Sequence, residues 1–335
     1  MYAKFYGLDA LAFQLTPDPR FFYESAEHRR AMAHLIYGLH HAEGFIVITG
    51  EVGAGKTMLV DRLLSQIDPT SFVTAKIVTT QLDAADLLRM VASGFGFDHG
   101  GLPKASLLTR IEEFALSQLA AGRRALLIVD EAQNLSFEAL EELRMLSNIV
   151  SGTTSALQSF LLGQPQFRVV LGNRSLDQLR QRIAAAYHLG PLSEGDTRAY
   201  IEHRLRCAGW KSDPQIDEGG FAVIYQHTGG VPRLINTLCT RILLFGFLQD
   251  SHVISAADIE QVAVELSGEM SSVAPPEAEG AFSSSELSAF PLNAGGERLG
   301  KLEQTCAAHD RVIKRIIGMM ATYFAKIERH EPPQS

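Results

Sequence analysis

The sequence predicts an α/β protein: a parallel sheet flanked by helices, then a small all-helical lid and a separate C-terminal helix. Three observations carry this expectation. The stretch Gly50-Glu51-Val52-Gly53-Ala54-Gly55-Lys56-Thr57 stands between an apolar run at 44–49 and a helical pattern at 58–64. A second apolar run, 125–129, ends in two carboxylates, Asp130 and Glu131. Downstream of about residue 190 the pattern is helical, and residues 267–296 lose all periodicity.

Taken in order, residues 1–24 carry a high density of Phe and Tyr together with Pro17 and Pro19. Prolines disfavour a helix there, and the aromatics argue for an extended segment pinned to the protein. Ser25 is placed to cap a helix over 25–41, with Met32, Leu35, Ile36 and Leu39 on one face. Strand 44–49, the glycine-rich loop and helix 58–64 follow. Residues 72–78 read as a second strand, 82–95 and 106–121 as helices, and 125–129 as a strand buried on both faces. A helix over 137–150 leads through a small-residue turn to a strand at 159–164 that ends on Gln164. Arg180 and Arg182 lie near the end of a further helix. The lid helices are expected at 197–208, 218–226, 234–248 and 256–266. Residues 297–329 place apolar side chains at alternating spacings of three and four, the seam of a coiled coil or of a helix docked on a partner. A helix folded back on its own core is the alternative. The expected organisation is 1–43 packed on the core, 44–190 the α/β domain that carries the glycine-rich loop, 191–266 the lid, 267–296 a disordered linker and 297–329 the final helix.

The chain has 335 residues, 46% hydrophobic and 20% charged, an ordinary globular composition. A formal net charge of −8 gives no global attraction to nucleic acid, so nucleic acid is not the favoured partner. Three separated cysteines, Cys207, Cys239 and Cys306, make no metal or disulfide pattern and suit a reducing compartment. Without a secretory signal or an apolar run of bilayer length, the expected location is cytoplasmic.

The glycine-rich loop fits G-x-x-x-x-G-K-[ST] in its strand-to-helix context. Its glycines let backbone N–H groups converge on phosphates, and the new helix adds its unpaired N–H groups. Gly50, Glu51, Val52, Gly53, Ala54, Gly55, Lys56, Thr57 and Met58 are therefore the expected ATP-binding residues. Lys56 would reach the β- and γ-phosphates, and Thr57 would ligate Mg²⁺. Asp130 would hold the same ion directly or through water, and Glu131 would polarise the attacking water. Gln164 can hydrogen-bond the γ-phosphate or the water without adding charge, or tie down the loop before Pro165. Arg180 or Arg182 could be an arginine finger supplied to a neighbouring subunit, or a surface ion-pair partner. Arg233, in the first turn after Pro232, is unfavourable for the helix dipole, which suggests an anion nearby.

This set of motifs resembles an AAA+ ATPase. With Phe5-Tyr6-Gly7-Leu8, Thr16-Pro17-Asp18-Pro19-Arg20-Phe21-Phe22, residues 44–57, 160–168 and 228–233, the chain looks like the general secretion pathway A ATPases. It looks closest to the ATPase associated with the exosortase and PEP-CTERM sorting system. The resemblance covers about residues 1–266. It implies a P-loop NTPase fold with a helical lid, Gln164 as sensor 1, Arg233 as sensor 2 and Arg182 as the finger. It also implies a homo-oligomer that hydrolyses ATP to assemble or remodel a protein complex in envelope sorting, secretion or exopolysaccharide export, peripherally at the inner face of the membrane. A DNA-binding ATPase resembling transposition regulators is the competing class.

Overall fold

The computed structural model describes residues 2–16, 18–41, 44–78 and 82–273, the side chains of 41 and 270–273 excepted. Residues 1–273 form one compact unit. The expected helix over 297–329 and the linker beyond 273 lie outside the described residues.

In chain order the elements are α1 (Tyr2–Phe5), a 3-10 turn (Pro19–Phe21), α2 (Ala26–His41), β1 (Phe45–Gly50), α3 (Lys56–Leu64), β2 (Phe72–Val78), α4 (Ala84–Gly94), α5 (Lys104–Ala120) and β3 (Arg124–Asp130). A 3-10 turn (Ala132–Asn134) leads to α6 (Phe137–Leu146), the short strands β4 (Val150–Ser151) and β5 (Thr154–Ser155), β6 (Leu157–Gly163), α7 (Gln166–Leu171), α8 (Asp177–Arg180) and β7 (Ile183–Leu189). The lid comprises α9 (Glu194–Cys207), β8 (Gln215–Ile216), α10 (Glu218–Thr228), α11 (Pro232–Leu248), β9 (Val253–Ile254) and α12 (Ala256–Val273).

Five parallel strands form the sheet in the order β2-β3-β6-β1-β7. Alternation along the strands sorts their side chains into two layers. Phe45, Val47, Leu127, Val129 and Leu161 face the helices α4, α5 and α6. Ile46, Ile48, Leu126, Ile128, Phe160 and Leu162 face α2 and α3. Central strands covered on both faces are largely apolar, which is why residues 45–48 of β1 and 125–129 of β3 read as unbroken hydrophobic runs.

The expected helix start at Ser25 is present: Ser25 Oγ accepts from the His28 N–H at 3.2 Å. Asp83, Ser136 and Ser193 cap α4, α6 and α9 in the same way.

Six expectations are corrected, five of them in the type and bounds of elements. Residues 183–189 are a strand, where Ile183 was expected to end a helix and Tyr187–Leu192 to lead into a helical region; on the sheet edge, Ala184 and Ala186 are exposed and, being apolar, mask the alternation of the strand. The helix from 137 stops at Leu146, and residues 150–155 are a hairpin turned at Gly152, with φ of +61°. The N-terminal segment includes one helical turn, α1. The lid is not all-helical, since β8 and β9 pair in parallel. The linker does not begin at 267: α12 runs on to Val273, anchored to α11 by the Arg241–Glu269 ion pair at 2.9 Å.

The N-terminal segment also departs from the expected packing on the ATPase core. Helix α2 does pack on the sheet, but Tyr6, Leu8, Ala12, Phe13 and Phe21 lie in the lid core with Tyr200, Leu205, Leu238 and Ile242. Backbone groups hold this strap to the lid. Asp9 N–H donates to Ala208 O at 2.8 Å, Arg204 Nε to Ala12 O at 2.6 Å and Thr240 Oγ1 to Phe13 O at 3.1 Å.

Candidate nucleotide site

The site lies at the C-terminal ends of the parallel strands, where open α/β sheets bind ligands. Strand β1 ends at Gly50, and the loop turns through Gly53 and Gly55, with φ of +83° and +97°. Both positions demand glycine in space as well as in backbone angle. A Cβ on Gly53 would lie 2.2 Å from Arg233 Cβ, and one on Gly55 would lie 2.8 Å from His28 Nε2. Gly55 begins α3 without a side-chain cap, which leaves the first N–H groups of the helix for an anion.

Lys56 is 6% exposed, and its Nζ donates to Gly50 O at 2.8 Å and to Glu51 O at 3.0 Å. Burial lowers the Lys56 ammonium below the ordinary lysine range, and the carboxylates of Glu131, Asp130 and Glu51 oppose that shift. Thr57 Oγ1 donates to Asp130 Oδ2 at 2.6 Å across 73 positions of sequence. The Glu131 N–H donates to the other Asp130 oxygen at 3.0 Å. A hydroxyl and a carboxylate side by side at a phosphate cradle are the oxygen donors that Mg²⁺ takes, so these residues fit the ion.

Glu131 has left-handed backbone, φ of +57°, uncommon for a residue with a Cβ and a form of local strain that clusters at functional sites. Its Oε2 accepts from Gln133 Nε2 at 2.6 Å and from Gln164 Nε2 at 3.1 Å. The Gln164 N–H donates to Gln133 Oε1 at 3.0 Å. Arg233, at the start of α11, lines the same cavity, and among the described residues its guanidinium has no hydrogen bond or ion pair.

The cavity, of about 380 Å³, is walled by the phosphate loop, by Phe22 and Tyr23 of the strap, and by Tyr200, Arg204 and Asn236 of the lid. His28 closes one corner. It is 5% exposed, its Nδ1 lies 2.7 Å from Ser25 Oγ, and Phe22 packs edge-on against its ring at 5.6 Å. Burial lowers its pKa from 6.5.

The fold thus brings Lys56, Thr57, Asp130, Glu131, Gln164 and Arg233 together. It does not bring Arg182 to its own chain's phosphate loop. Ile183 pairs with Phe45 at the start of β1, whereas Leu189 pairs with Gly50, so Arg182 sits roughly 16 Å or more away along the sheet. There it is exposed, with Nη1 3.3 Å from Ser147 Oγ. Arg180 pairs with Asp177 at 2.7 Å. Inspection of the sequence missed His28, Gln133, Tyr200, Arg204 and Asn236, none of which belongs to a motif. The one signal available was Gln133, a polar residue two positions beyond the acidic pair.

Comparison with known proteins agrees with this geometry. Residues 39–171 match the AAA domain family model. The chain is 40% identical over 269 residues to general secretion pathway protein A of Aeromonas hydrophila, an alignment covering 80% of this chain and 49% of that protein. The chain therefore spans about half the length of that curated relative. Its fold is similar to the ORC2 protein of Aeropyrum pernix, with a TM-score of 0.59 at 15% identity, covering 77% of this chain and 72% of that one. It is also similar to Cdc6p of Pyrobaculum aerophilum, with a TM-score of 0.60 at 16% identity, covering 79% and 74%. The chain has the parallel-sheet fold of P-loop NTPases and is related to general secretion pathway protein A, and its phosphate loop, Asp130, Glu131 and Gln164 all lie within the stretch that matches an AAA domain.

Proposed function

We propose that the chain binds ATP with Mg²⁺ and hydrolyses it to ADP and phosphate. The observation that carries this reading is the Thr57–Asp130 pair set beside Glu131, on the open side of an intact phosphate loop. Mg²⁺ held by Thr57 and Asp130 would supply positive charge to the β- and γ-phosphate oxygens. Lys56 and Arg233 add charge at the same end of the nucleotide, where it builds up in the transition state. Glu131 takes the proton of the attacking water, and Gln164 acts as the neutral sensor amide beside it.

The experiment is phosphate release by purified protein, with ATP affinity measured by calorimetry. Glu131→Gln keeps the shape and should bind ATP while losing turnover by on the order of 10²-fold or more. Lys56→Ala should lose measurable binding. Near-wild-type affinity in Lys56→Ala would reject the phosphate-loop assignment, and unchanged turnover in Glu131→Gln would reject the base.

Its work is the remodelling or assembly of a protein complex at an envelope sorting, secretion or exopolysaccharide export system, of the exosortase and PEP-CTERM kind. The relationship to general secretion pathway protein A supports the secretion part of this reading. The active form is a homo-oligomer in which Arg182 is offered to the neighbour's nucleotide. Its exposure at the sheet end remote from its own phosphate loop supports that role. The segment 297–329 docks the ATPase on its partner at the inner face of the membrane. No described helix is long and apolar enough to cross a membrane.

A further inference from the structure

We infer that Gln133 is a positioning residue for Glu131: its side-chain amide cross-links the ends of β3 and β6 and fixes the carboxylate that works on the attacking water. The inference rests on the ATPase reading proposed above.

Gln133 belongs neither to the phosphate loop nor to the acidic pair. The left-handed backbone at Glu131 turns the chain into the 3-10 turn Ala132–Asn134. That reversal brings the side chain of Gln133 back alongside the side chain of Glu131, two positions earlier. An amide in this place could point either way, and its partners decide the orientation. The Gln164 backbone N–H can only donate, so the atom 3.0 Å from it is Gln133 Oε1. Gln133 Nε2 is thereby aimed at Glu131 Oε2, 2.6 Å away. Gln164 Nε2 converges on the same oxygen at 3.1 Å. Three residues close a ring in which the amide of Gln133 satisfies one neighbour with each end.

The ring has a consequence for chemistry. A carboxylate at the end of a rotatable side chain is held by two donors of different origin, one from the turn after β3 and one from the end of β6. Positioning of a catalytic group to within a fraction of an ångström is worth much of its effect. Gln164 alone supplies one donor at the longer distance. Gln133 supplies the shorter bond and also anchors the backbone of Gln164, so each of these two bonds depends on it.

Two near-isosteric substitutions separate this role from a merely structural one. Gln133→Met removes both amide ends. Gln133→Glu keeps an acceptor for the Gln164 N–H but sets a carboxylate against Glu131, so the donor is lost and like charges repel. For a positioning residue both variants lower kcat, by about ten- to a hundred-fold for the loss of a hydrogen bond to a charged group, with Gln133→Glu the worse of the two. Affinity for a non-hydrolysable ATP analogue should stay within about twofold, because no phosphate contact changes. In a Glu131→Gln background neither substitution should lower the residual rate further, since residues acting as one unit are non-additive.

If Gln133 only braces the loop through Gln164, Gln133→Glu will turn over like wild type while Gln133→Met suffers, and the inference is overturned. Loss of analogue binding in both variants would place Gln133 in the fold and overturn it equally. A full additional loss in the Glu131→Gln background would do the same. Wild-type protein that releases no phosphate would overturn the ATPase reading itself, an outcome distinct from active wild type with silent Gln133 variants.

Discussion

Arg233 of the lid and Gly53 of the phosphate loop touch backbone to side chain: Arg233 Cβ stands 2.2 Å from the point where a Cβ on Gly53 would be. The lid therefore seats on the loop only because position 53 has no side chain. Gly53→Ala would meet this contact and, at φ of +83°, a left-handed backbone that costs an L-residue about 1–2 kcal/mol. That backbone cost falls on folding stability whether or not nucleotide is bound, so Tm should drop. ATP affinity should fall through the displaced lid, which carries Arg233 away from the cavity, with tenfold corresponding to about 1.4 kcal/mol of lost contact. Calorimetric titration checks this, and wild-type affinity in Gly53→Ala would show that the lid contact is not needed for binding.

The buried His28 gives stability a pH dependence with a definite sign. Its pKa is lowered first by desolvation, against opposing contributions from the Ala54 backbone hydrogen bond and from Asp196, Glu24 and Glu27. The unfolded state, with the ordinary value of 6.5, therefore takes up the proton first as pH falls. The contribution of His28 is complete above about pH 6.5 and is lost as pH drops through the folded value. In His28→Gln the fall of Tm between neutral pH and pH 5 should be shallower than in wild type. Superimposable Tm curves for the two proteins would rule His28 out as the source.

Arg182 makes a prediction about subunits. Arg182→Ala should bind ATP normally and hydrolyse it slowly, by about 10³-fold if the guanidinium reaches a neighbour's transition state. Mixed with Lys56→Ala it should regain activity, because mixed interfaces hold one intact phosphate loop and one intact finger. Turnover per subunit that stays constant on dilution to monomer would reject the arrangement in trans. Activity lost in Arg180→Ala in place of Arg182→Ala would move the role to Arg180.

A chain ending at Val273 should keep its fold and its ATPase activity, because strap, sheet and lid lie within the compact unit 1–273. Its melting temperature should match the full chain, and its self-association, read by light scattering, should weaken if the segment 297–329 is the docking element proposed above. A fall of Tm by several degrees on truncation would instead make residues 274–335 part of the ATPase body.

The chain's local chemistry is legible in the sequence. Residues 44–57 and 124–131 each contain a complete strand and the functional end it carries, so hydrophobic pattern and motif specify both at once. Arg233 was legible too, because Pro232 marks a helix start and a cation there is locally unfavourable. What stayed hidden depends on chain segments far apart. The aromatics of residues 2–24 are apolar whichever surface they cover; only the folded chain sends them to the lid, where Arg204 holds the carbonyl of Ala12 across 192 positions. Strand β7 escaped notice because its exposed positions 184 and 186 are alanines, so the inward alternation of Ile183, Ala185, Tyr187 and Leu189 does not read as apolar against polar, and pairing with β1 is what makes it a strand. Gln133 and His28 are ordinary polar residues in sequence. One becomes part of the site because a left-handed Glu131 turns it toward Gln164, and the other because α2 packs its first turn against Gly55. Sequence alone could specify the phosphate loop and the acids, since neighbours in the chain make them; tertiary packing decided what surrounds them, since those contacts exist only once strands, strap and lid have met.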